Sequence, residues 1–215
     1  MPQKPASLPR IVLDVNIAVW GSHPSGDSET DASYTPVEVC LTCKQTMKLL
    51  RSLDYLLRLS VELNNEWNSV LFKRQVVSRK PSSRREISEL EYACEQYART
   101  WFTSMTSTGR VDVFDANQAH TRLPLGALSD AQIKDAHLVE SALGSDRRIV
   151  SHDKKVREAW IQLLKQPAGK ELVRSFSKLP RLVWVDPELH KDLCYWLEND
   201  APDKPSYRLE NGPSS

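Results

Sequence analysis

Short apolar runs alternate with longer amphipathic stretches along the chain. The first run, at residues 10–14, lies between a proline and a polar cluster, as the buried strands of a sheet commonly do. Similar runs recur at intervals of about 35 to 55 residues. Together they predict five β-strands, at 10–14, 55–60, 111–114, 148–151 and 182–185.

Between these runs, apolar residues recur at steps of three and four, which is the spacing of one face of an α-helix. The capping-box sequence from Ser129 to Gln132 opens one such stretch, and Pro187 stands at the first turn of another. Segments 21–36 and 75–83, and the stretch after 165, are expected to be loops. The pattern predicts helices at 37–53, 61–74, 84–105, 129–143, 154–165 and 188–197.

Strands that alternate with helices favour a parallel sheet covered on both faces, because parallel crossovers place helices there. We therefore expect an α/β protein with three α/β/α layers. At 215 residues the chain fits one domain, over 10–198, with a helical insertion at about 72–110. A flexible arm at 1–9 and a disordered tail at 199–215 are expected from their polar, proline-bearing composition.

The bulk composition is that of an ordinary globular protein, with 40% hydrophobic and 27% charged residues. No apolar run approaches the roughly 18 residues that cross a bilayer, and no apolar signal segment follows the N-terminus. We therefore expect a cytoplasmic protein with no membrane partner. Because the net charge is only +1, any attraction to nucleic acid must come from local patches.

Two of the four cysteines, Cys40 and Cys43, form a C-x-x-C pair, which is either half of a zinc site or a redox pair. Both stand in a stretch with helical apolar spacing, and neither Cys94 nor Cys194 has a histidine at ligand spacing. We interpret Cys40 and Cys43 as buried or half-buried thiols, since free cysteine behaves as a small hydrophobe. The lack of a disulfide framework agrees with a reducing compartment.

Acidic residues fall near the ends of the predicted strands. Asp14 ends the first strand, and Asp153 lies just beyond the strand at 148–151. Glu66 and Asp135 lie in the helices that follow the second strand and precede the fourth. Since ligands of such sheets bind at the carboxyl ends of the strands, these four carboxylates are expected to meet at one edge.

Carboxylates packed closely repel one another and need a compensating positive charge. Oxygen-only ligands suit Mg²⁺ or Mn²⁺ rather than zinc. One or two such ions are what phosphodiester hydrolysis requires, because a metal activates the attacking water and a second stabilises the leaving oxygen. Asp130 remains an alternative third ligand, although it is well explained as a first-turn acid facing the helix dipole.

In chain order, these motifs resemble those of PIN-domain nucleases. The segment Leu13-Asp14-Val15-Asn16-Ile17 is similar to their opening motif, and Leu63 to Leu71, which contains Glu66, to their second. Asp135, at the head of an alanine-rich helix, and the strand ending Ser151-His152-Asp153 resemble the third and fourth. The segment Val185 to Leu189 is like the closing segment of the family, so the likeness covers about residues 10–197.

The resemblance implies a metal-dependent endoribonuclease with Mg²⁺ or Mn²⁺ on Asp14, Glu66, Asp135 and Asp153. It also implies that Asn16 and Ser151 support the site by hydrogen bonds, that RNA is the substrate, and that homodimers are common. Ribonuclease toxins of toxin–antitoxin pairs, which an inhibitory partner protein holds inactive, share the motif order. The span from Glu66 to Asp135 is longer here than in those toxins.

Further residues have two interpretations each. His137 and His152 flank two of the acids and are expected to be surface or supporting groups rather than a general base. Trp20, Trp67 and Trp101 either stack on unpaired bases or belong to the core, whereas Trp160, Trp184 and Trp196 are predicted core. A basic cluster is either a solvated loop or a phosphate-binding edge, and consists of Lys73, Arg74, Arg79, Lys80, Arg84 and Arg85.

Two other functions fit parts of the same sequence. A phosphatase of the haloacid dehalogenase type also begins with a strand ending in aspartate, but it needs a second aspartate two residues on. Asn16 occupies that position and cannot give up a proton. The other rival is a catalytically silent domain that binds a partner protein through its long helix at 84–105.

Overall fold

The computed structural model describes residues 8–22, 37–73 and 89–211. All five predicted strands are present in it, as β1 (Arg10–Leu13), β2 (Leu56–Ser60), β3 (Val111–Phe114), β4 (Arg148–Val150) and β5 (Val183–Val185). They form one parallel sheet in the order β3-β2-β1-β4-β5. The predicted parallel α/β architecture is therefore confirmed.

Helices cover this sheet. The described part of the chain contains nine α-helices: α1 (Val15–Ser22), α2 (Val37–Ser52), α3 (Val61–Asn68), α4 (Glu89–Ser107), α5 (Asp130–Lys134), α6 (Ala136–Leu143), α7 (Lys154–Lys165), α8 (Pro167–Ser175) and α9 (Leu193–Glu198). A π-helical turn, Ser69–Lys73, directly continues α3. The arrangement agrees with the three-layer α/β/α fold predicted from the sequence.

The chain order changes direction between β1 and β4. From β1 the chain moves outward to β2 and β3, and it then returns to the other side of β1 to form β4 and β5. The connections that leave β1 and β4 therefore diverge, and a crevice opens at the carboxyl ends of these two strands. Asp14 follows β1 and Ser151 follows β4, so both residues lie at this crevice.

The core fills both faces of the sheet. Ile11, Val12 and Leu13 of the central strand have no solvent exposure, which explains why β1 is a continuous apolar run. Trp20 is partly buried. The other five tryptophans are buried, namely Trp67, Trp101, Trp160, Trp184 and Trp196. The interpretation of Trp160, Trp184 and Trp196 as core is confirmed, and Trp67 and Trp101 are core as well.

Three of the four cysteines have described side chains, and these three are free thiols. Cys40 and Cys43 are buried in α2, and Cys194 is half-buried in α9, which packs against α2. Burial raises the pKa of the Cys43 thiol and keeps it protonated. The interpretation of Cys40 and Cys43 as buried thiols agrees with this placement.

Helix boundaries differ from the prediction in four places. Helix α1 begins directly after Asp14, where no helix was predicted, and α8 replaces an expected loop, with Pro167 at its first position. The helix predicted over 129–143 is interrupted at Asp135, whose backbone leaves the helical region at φ −114° and ψ 14°. The closing helix begins at Leu193 rather than 188, because Asp186 accepts the backbone N–H groups of a separate turn.

The prediction of a disordered tail from residue 199 is wrong for 199–211. Leu209 N donates to the carbonyl of Leu182 at 3.0 Å, and Arg208 forms an antiparallel bridge with Val183. Tyr207 and Leu209 are buried. The segment covers the outer edge of β5. Without it, backbone N–H and C=O groups of this edge strand would have no hydrogen-bond partner in the sheet. Residues 212–215 lie outside the described residues.

At the other end, the expected arm of residues 1–9 is described only at residues 8 and 9, where the Pro9 carbonyl accepts from Leu56 N at 3.0 Å. Of the predicted insertion at 72–110, the described part is 72–73 and 89–110. There, Trp101, Phe102 and Met105 of α4 belong to the main core, so this helix is an integral layer. Among the described helices, none combines the length and the apolar character required to span a bilayer.

Replacement of Leu209 tests the packing of the C-terminal segment. Leu209→Ala is expected to lower the free energy of unfolding by about 2–4 kcal/mol, since a fully buried leucine leaves a cavity. The matched control is Leu189→Ala, at a leucine that is 40% exposed, with an expected change within about 0.5 kcal/mol. Urea unfolding measures both, and equal effects would show that the segment is not packed.

Candidate metal centre

Asp14 is buried at the carboxyl end of β1, with 7% of its surface exposed. Its Oδ2 accepts hydrogen bonds from Ser151 Oγ at 2.6 Å and Asn16 Nδ2 at 2.8 Å, and its Oδ1 accepts from Asn16 N at 3.1 Å. Three donors thus orient one carboxylate. Asn16 and Ser151 thus both contact Asp14, and their supporting role at a metal site stays a prediction.

The same hydrogen bonds join the ends of β1 and β4. Ser151 Oγ, besides donating to Asp14, accepts from Asp153 N at 3.2 Å. The backbone N–H of His152 contacts Asn16 Oδ1 at 3.3 Å. Asp153 caps α7, because its Oδ1 accepts from Val156 N at 2.9 Å. Asp153 is therefore both the N-cap of α7 and a hydrogen-bond partner of the serine that donates to Asp14.

Glu66 approaches this edge from α3. The neighbouring residue, Trp67, donates its indole N–H to the Leu13 carbonyl at 3.0 Å, one residue before Asp14. Arg122 forms ion pairs with Glu62 of α3 and with the buried Glu140 of α6, and so fastens these two helices together. The Glu66 carboxylate itself is about one-third exposed, with Oε2 2.6 Å from His137 Nε2 in an ion-pair contact.

Asp135 stands at the junction between α5 and α6 and is partly buried. Helix α5 is held against α7 by Gln132, whose amide donates to the Ala159 carbonyl at 2.9 Å. Asp130, the alternative ligand, is exposed in the first turn of α5. This placement favours Asp135 as the group that faces the other acids.

The ionisation of these groups shows that they act on one another. Burial raises the pKa of Asp14 to about 6 against the lowering effect of its hydrogen bonds, and the charges of Glu66 and Asp135 raise it further. Burial, Asp153 and Glu66 also raise the pKa of Asp135. The four predicted acids therefore share one electrostatic environment at the carboxyl edge.

His137 responds to the same charges. Although burial alone lowers the pKa of its imidazole, the Glu66, Asp135 and Asp14 carboxylates raise it above its usual value. Among the described side chains, the His137 ring forms the ion-pair contact with Glu66. His137 is therefore in contact with a predicted ligand rather than on the remote surface.

The residues fit a hard divalent cation by their chemistry. All four candidate ligands are carboxylates, and burial first, with neighbouring acids second, raises the pKa values of Asp14 and Asp135, so a cation would stabilise their charged forms. Their oxygens nevertheless stand further apart than a tight ligand group. Within the described residues, the ligand atoms that all lie within 4.8 Å of one another belong to His152, Asp186 and Glu188.

Asp186 is a buried acid that the sequence interpretation treated only as part of the closing segment. It follows β5 as Asp14 follows β1, and this position at a strand end was the available signal. Its Oδ1 accepts from Glu188 N at 2.7 Å and lies 3.4 Å from His152 Nδ1. Burial raises the pKa of Asp186, but the hydrogen bonds from His152 and from the backbone N–H groups of Glu188 and Leu189 lower it below its usual value. Asp186 in turn raises the pKa of the His152 imidazole.

This second group differs from the four carboxylates, because a guanidinium lies close to its buried acid. The buried guanidinium of Arg157 already places a positive charge near Asp186, and burial lowers the pKa of that guanidinium. Asp186 Oδ1 is also committed to the N–H groups of its turn. We interpret Asp186 as the group that shapes the loop after β5 and orients His152.

The basic cluster lies largely outside the described residues. Of its members, only the backbone of Lys73 is described, at the end of the π-helical turn. Arg74, Arg79, Lys80, Arg84 and Arg85 belong to the segment 74–88. Their proposed contact with phosphate stays a prediction.

Comparisons of the chain with protein-family models, with curated proteins and with solved structures gave no match. The likeness to PIN-domain nucleases therefore rests on the four motifs and on where their residues lie in the fold.

Neutralising Asp14 tests the electrostatic account. In metal-free buffer at pH 7, Asp14→Asn is expected to raise the free energy of unfolding by about 1–3 kcal/mol, because charging a buried carboxyl opposes folding. The pKa of about 6 in the folded protein lies above the value of 3.8 that is usual for an aspartate. The stabilising contribution of the protonated group is therefore complete below about pH 4 and is lost as the pH rises through 6.

The stability difference between Asp14→Asn and the wild type should accordingly grow from pH 4 to pH 7. Urea unfolding in EDTA at several pH values measures it. Asp130→Asn is the matched control, since Asp130 is exposed and should show no comparable trend. An Asp14→Asn protein that is less stable than the wild type at pH 7 would contradict the account.

Proposed function

We propose that this protein is a metal-dependent endoribonuclease that hydrolyses RNA phosphodiester bonds at the carboxyl edge of its sheet. The observation that carries the proposal is the buried carboxylate of Asp14, whose pKa is raised by burial and by Glu66 and Asp135. Burying an acid beside other acids opposes folding. Such an arrangement is typical of functional sites, where a ligand compensates for the charge.

The proposed ligands of Mg²⁺ or Mn²⁺ are Asp14, Glu66, Asp135 and Asp153, directly or through water. When bound, the metal would supply a water of lowered pKa and a positive charge for the phosphate oxygens. Asn16 and Ser151 hold the Asp14 carboxylate in one orientation through three hydrogen bonds. Asp153 is held by the cap of α7 and by Ser151.

The choice of RNA as substrate rests on the resemblance of the motifs to PIN-domain nucleases. The position of the acids in a crevice between diverging connections supports it, since a polymer can cross an open edge of the sheet. We place the reaction in the cytoplasm, because the free thiols of Cys40, Cys43 and Cys194 suit a reducing compartment.

Cleavage of a labelled single-stranded RNA tests the proposal. The wild type is expected to cut with Mn²⁺ or Mg²⁺ and not with EDTA. Asp14→Asn and Glu66→Gln are expected to lower the rate at least about a hundredfold, since a lost metal contact removes several kcal/mol of transition-state stabilisation. Product analysis on gels gives the rates.

The control variant for this experiment is Asp130→Asn, which neutralises an acid of the same region that is exposed in α5. It should cut at nearly the wild-type rate. A wild-type protein that is folded, binds no Mn²⁺ and cuts no RNA would overturn the proposal in favour of a partner-binding domain.

A further inference from the structure

The sheet opens between β1 and β2 at its carboxyl edge. The two strands are paired at Arg10 with Leu56 and at Ile11 with Leu57, and their register ends there. The next residues of β1 pair on the other side, with Leu13 opposite Val150 of β4. Beyond Ile11, β1 therefore follows β4 and separates from β2.

Two side chains form hydrogen bonds with the backbone groups of β1 and β2 that this separation leaves unpaired. The first hydrogen bond between β2 and β1 runs from Leu56 N to the Pro9 carbonyl. In a regular parallel ladder, the bonds in this direction repeat every two residues on each strand, so Ser60 N would donate to the Leu13 carbonyl. Instead, Ser60 N donates to Ser141 Oγ at 2.8 Å, and the Leu13 carbonyl accepts from Trp67 Nε1 at 3.0 Å. Both replacement bonds are buried.

The two replacement residues belong to the helices that carry charged groups of the candidate site. Trp67 is the neighbour of Glu66 in α3. Ser141 is one turn after His137 in α6, and its hydroxyl donates to the His137 carbonyl at 2.7 Å. The opening of the sheet and the approach of these helices are therefore one structural feature, with Asp14 at its rim.

We infer that Trp67 is a positioning residue of the proposed metal centre. Its indole hydrogen bond to Leu13 fixes the distance between α3 and the end of β1, and hence between the carboxylates of Glu66 and Asp14. This inference rests on the proposed function. Ser141 acts in the same sense, because it keeps the Ser60 N–H from closing the ladder onto Leu13.

The packing of Trp67 makes this bond rigid. Its side chain has no exposure and stacks on Phe102 of α4, with ring centroids 4.7 Å apart and planes 20° from parallel. The substitution Trp67→Phe would keep this aromatic contact and remove the indole N–H. The Leu13 carbonyl would then be left without its donor, or β2 would move toward β1 and alter the position of Asp14.

The chain offers a matched control in Trp101. This tryptophan of α4 is also buried, and it also donates its indole N–H to a backbone carbonyl, that of Met47 in α2, at 2.9 Å. Its bond joins two helices, α4 and α2, and involves no strand of the sheet. Trp67→Phe and Trp101→Phe therefore delete the same group in the same aromatic cluster, and only the first touches β1.

The experiment measures Mn²⁺ binding by electron paramagnetic resonance on the full chain, together with urea unfolding. Both variants should lose stability to a similar extent. Trp67→Phe is expected to weaken Mn²⁺ binding by about tenfold, as loss of a supporting contact around a metal site commonly does. Trp101→Phe should leave the dissociation constant within about twofold of the wild type.

Ser141→Ala provides a second variant in case Trp67→Phe does not fold, and it should weaken Mn²⁺ binding in the same direction. Wild-type affinity in either folded variant, or an equal loss in Trp101→Phe, would overturn the positioning role while metal binding stands. A wild type that binds no Mn²⁺, or no more tightly than Asp14→Asn, would instead remove the proposed function itself.

Discussion

The buried carboxylate of Asp14 is the group on which the organisation of the carboxyl edge depends. Removing a carboxylate from water costs several kcal/mol unless it is hydrogen-bonded or paired. Asn16 and Ser151 supply hydrogen bonds, but no basic side chain forms an ion pair with Asp14 in the described residues. Hydrogen bonds therefore stabilise the charged form of Asp14, and the charges of the neighbouring acids destabilise it.

This constraint explains why several unrelated parts of the chain converge there. The donors to Asp14 come from the turn after β1 and from the end of β4, which are adjacent only because the sheet changes direction between these strands. Helix α3 is fixed to the same place from the other side, through Trp67 and through the pairing of Glu62 with Arg122. Each contact is an ordinary one. Their sum is a rigid frame around a cluster of negative charge.

Much of this arrangement could be predicted from the sequence. The apolar runs located all five strands, since a buried parallel strand needs little beyond a short apolar stretch, and the positions of Asp14 and Asp153 at strand ends followed from them. The convergence of Glu66 and Asp135 was expected from their motifs, and their effects on the pKa of Asp14 agree with it. The metal and the reaction stay proposals.

Other features depend on contacts between residues far apart in the chain. Residues 199–211 look like a polar tail, and Tyr207 and Leu209 are buried through contacts with distant residues such as Leu182, His190 and Trp196. The interruption of a helix at Asp135 and the shortened closing helix after Asp186 also have no local signal in helical periodicity. The ion pair of His137 with Glu66 requires α3 and α6 to be docked first.

The most direct test of the central claim is a crystal structure of the protein grown with Mn²⁺, with the ion located by its anomalous scattering. The account predicts a peak at the carboxyl ends of β1 and β4, about 2–2.5 Å from oxygens of Asp14 and of at least one more of Glu66, Asp135 and Asp153. A peak only beside His152, Asp186 and Glu188, or none at this edge, would contradict it.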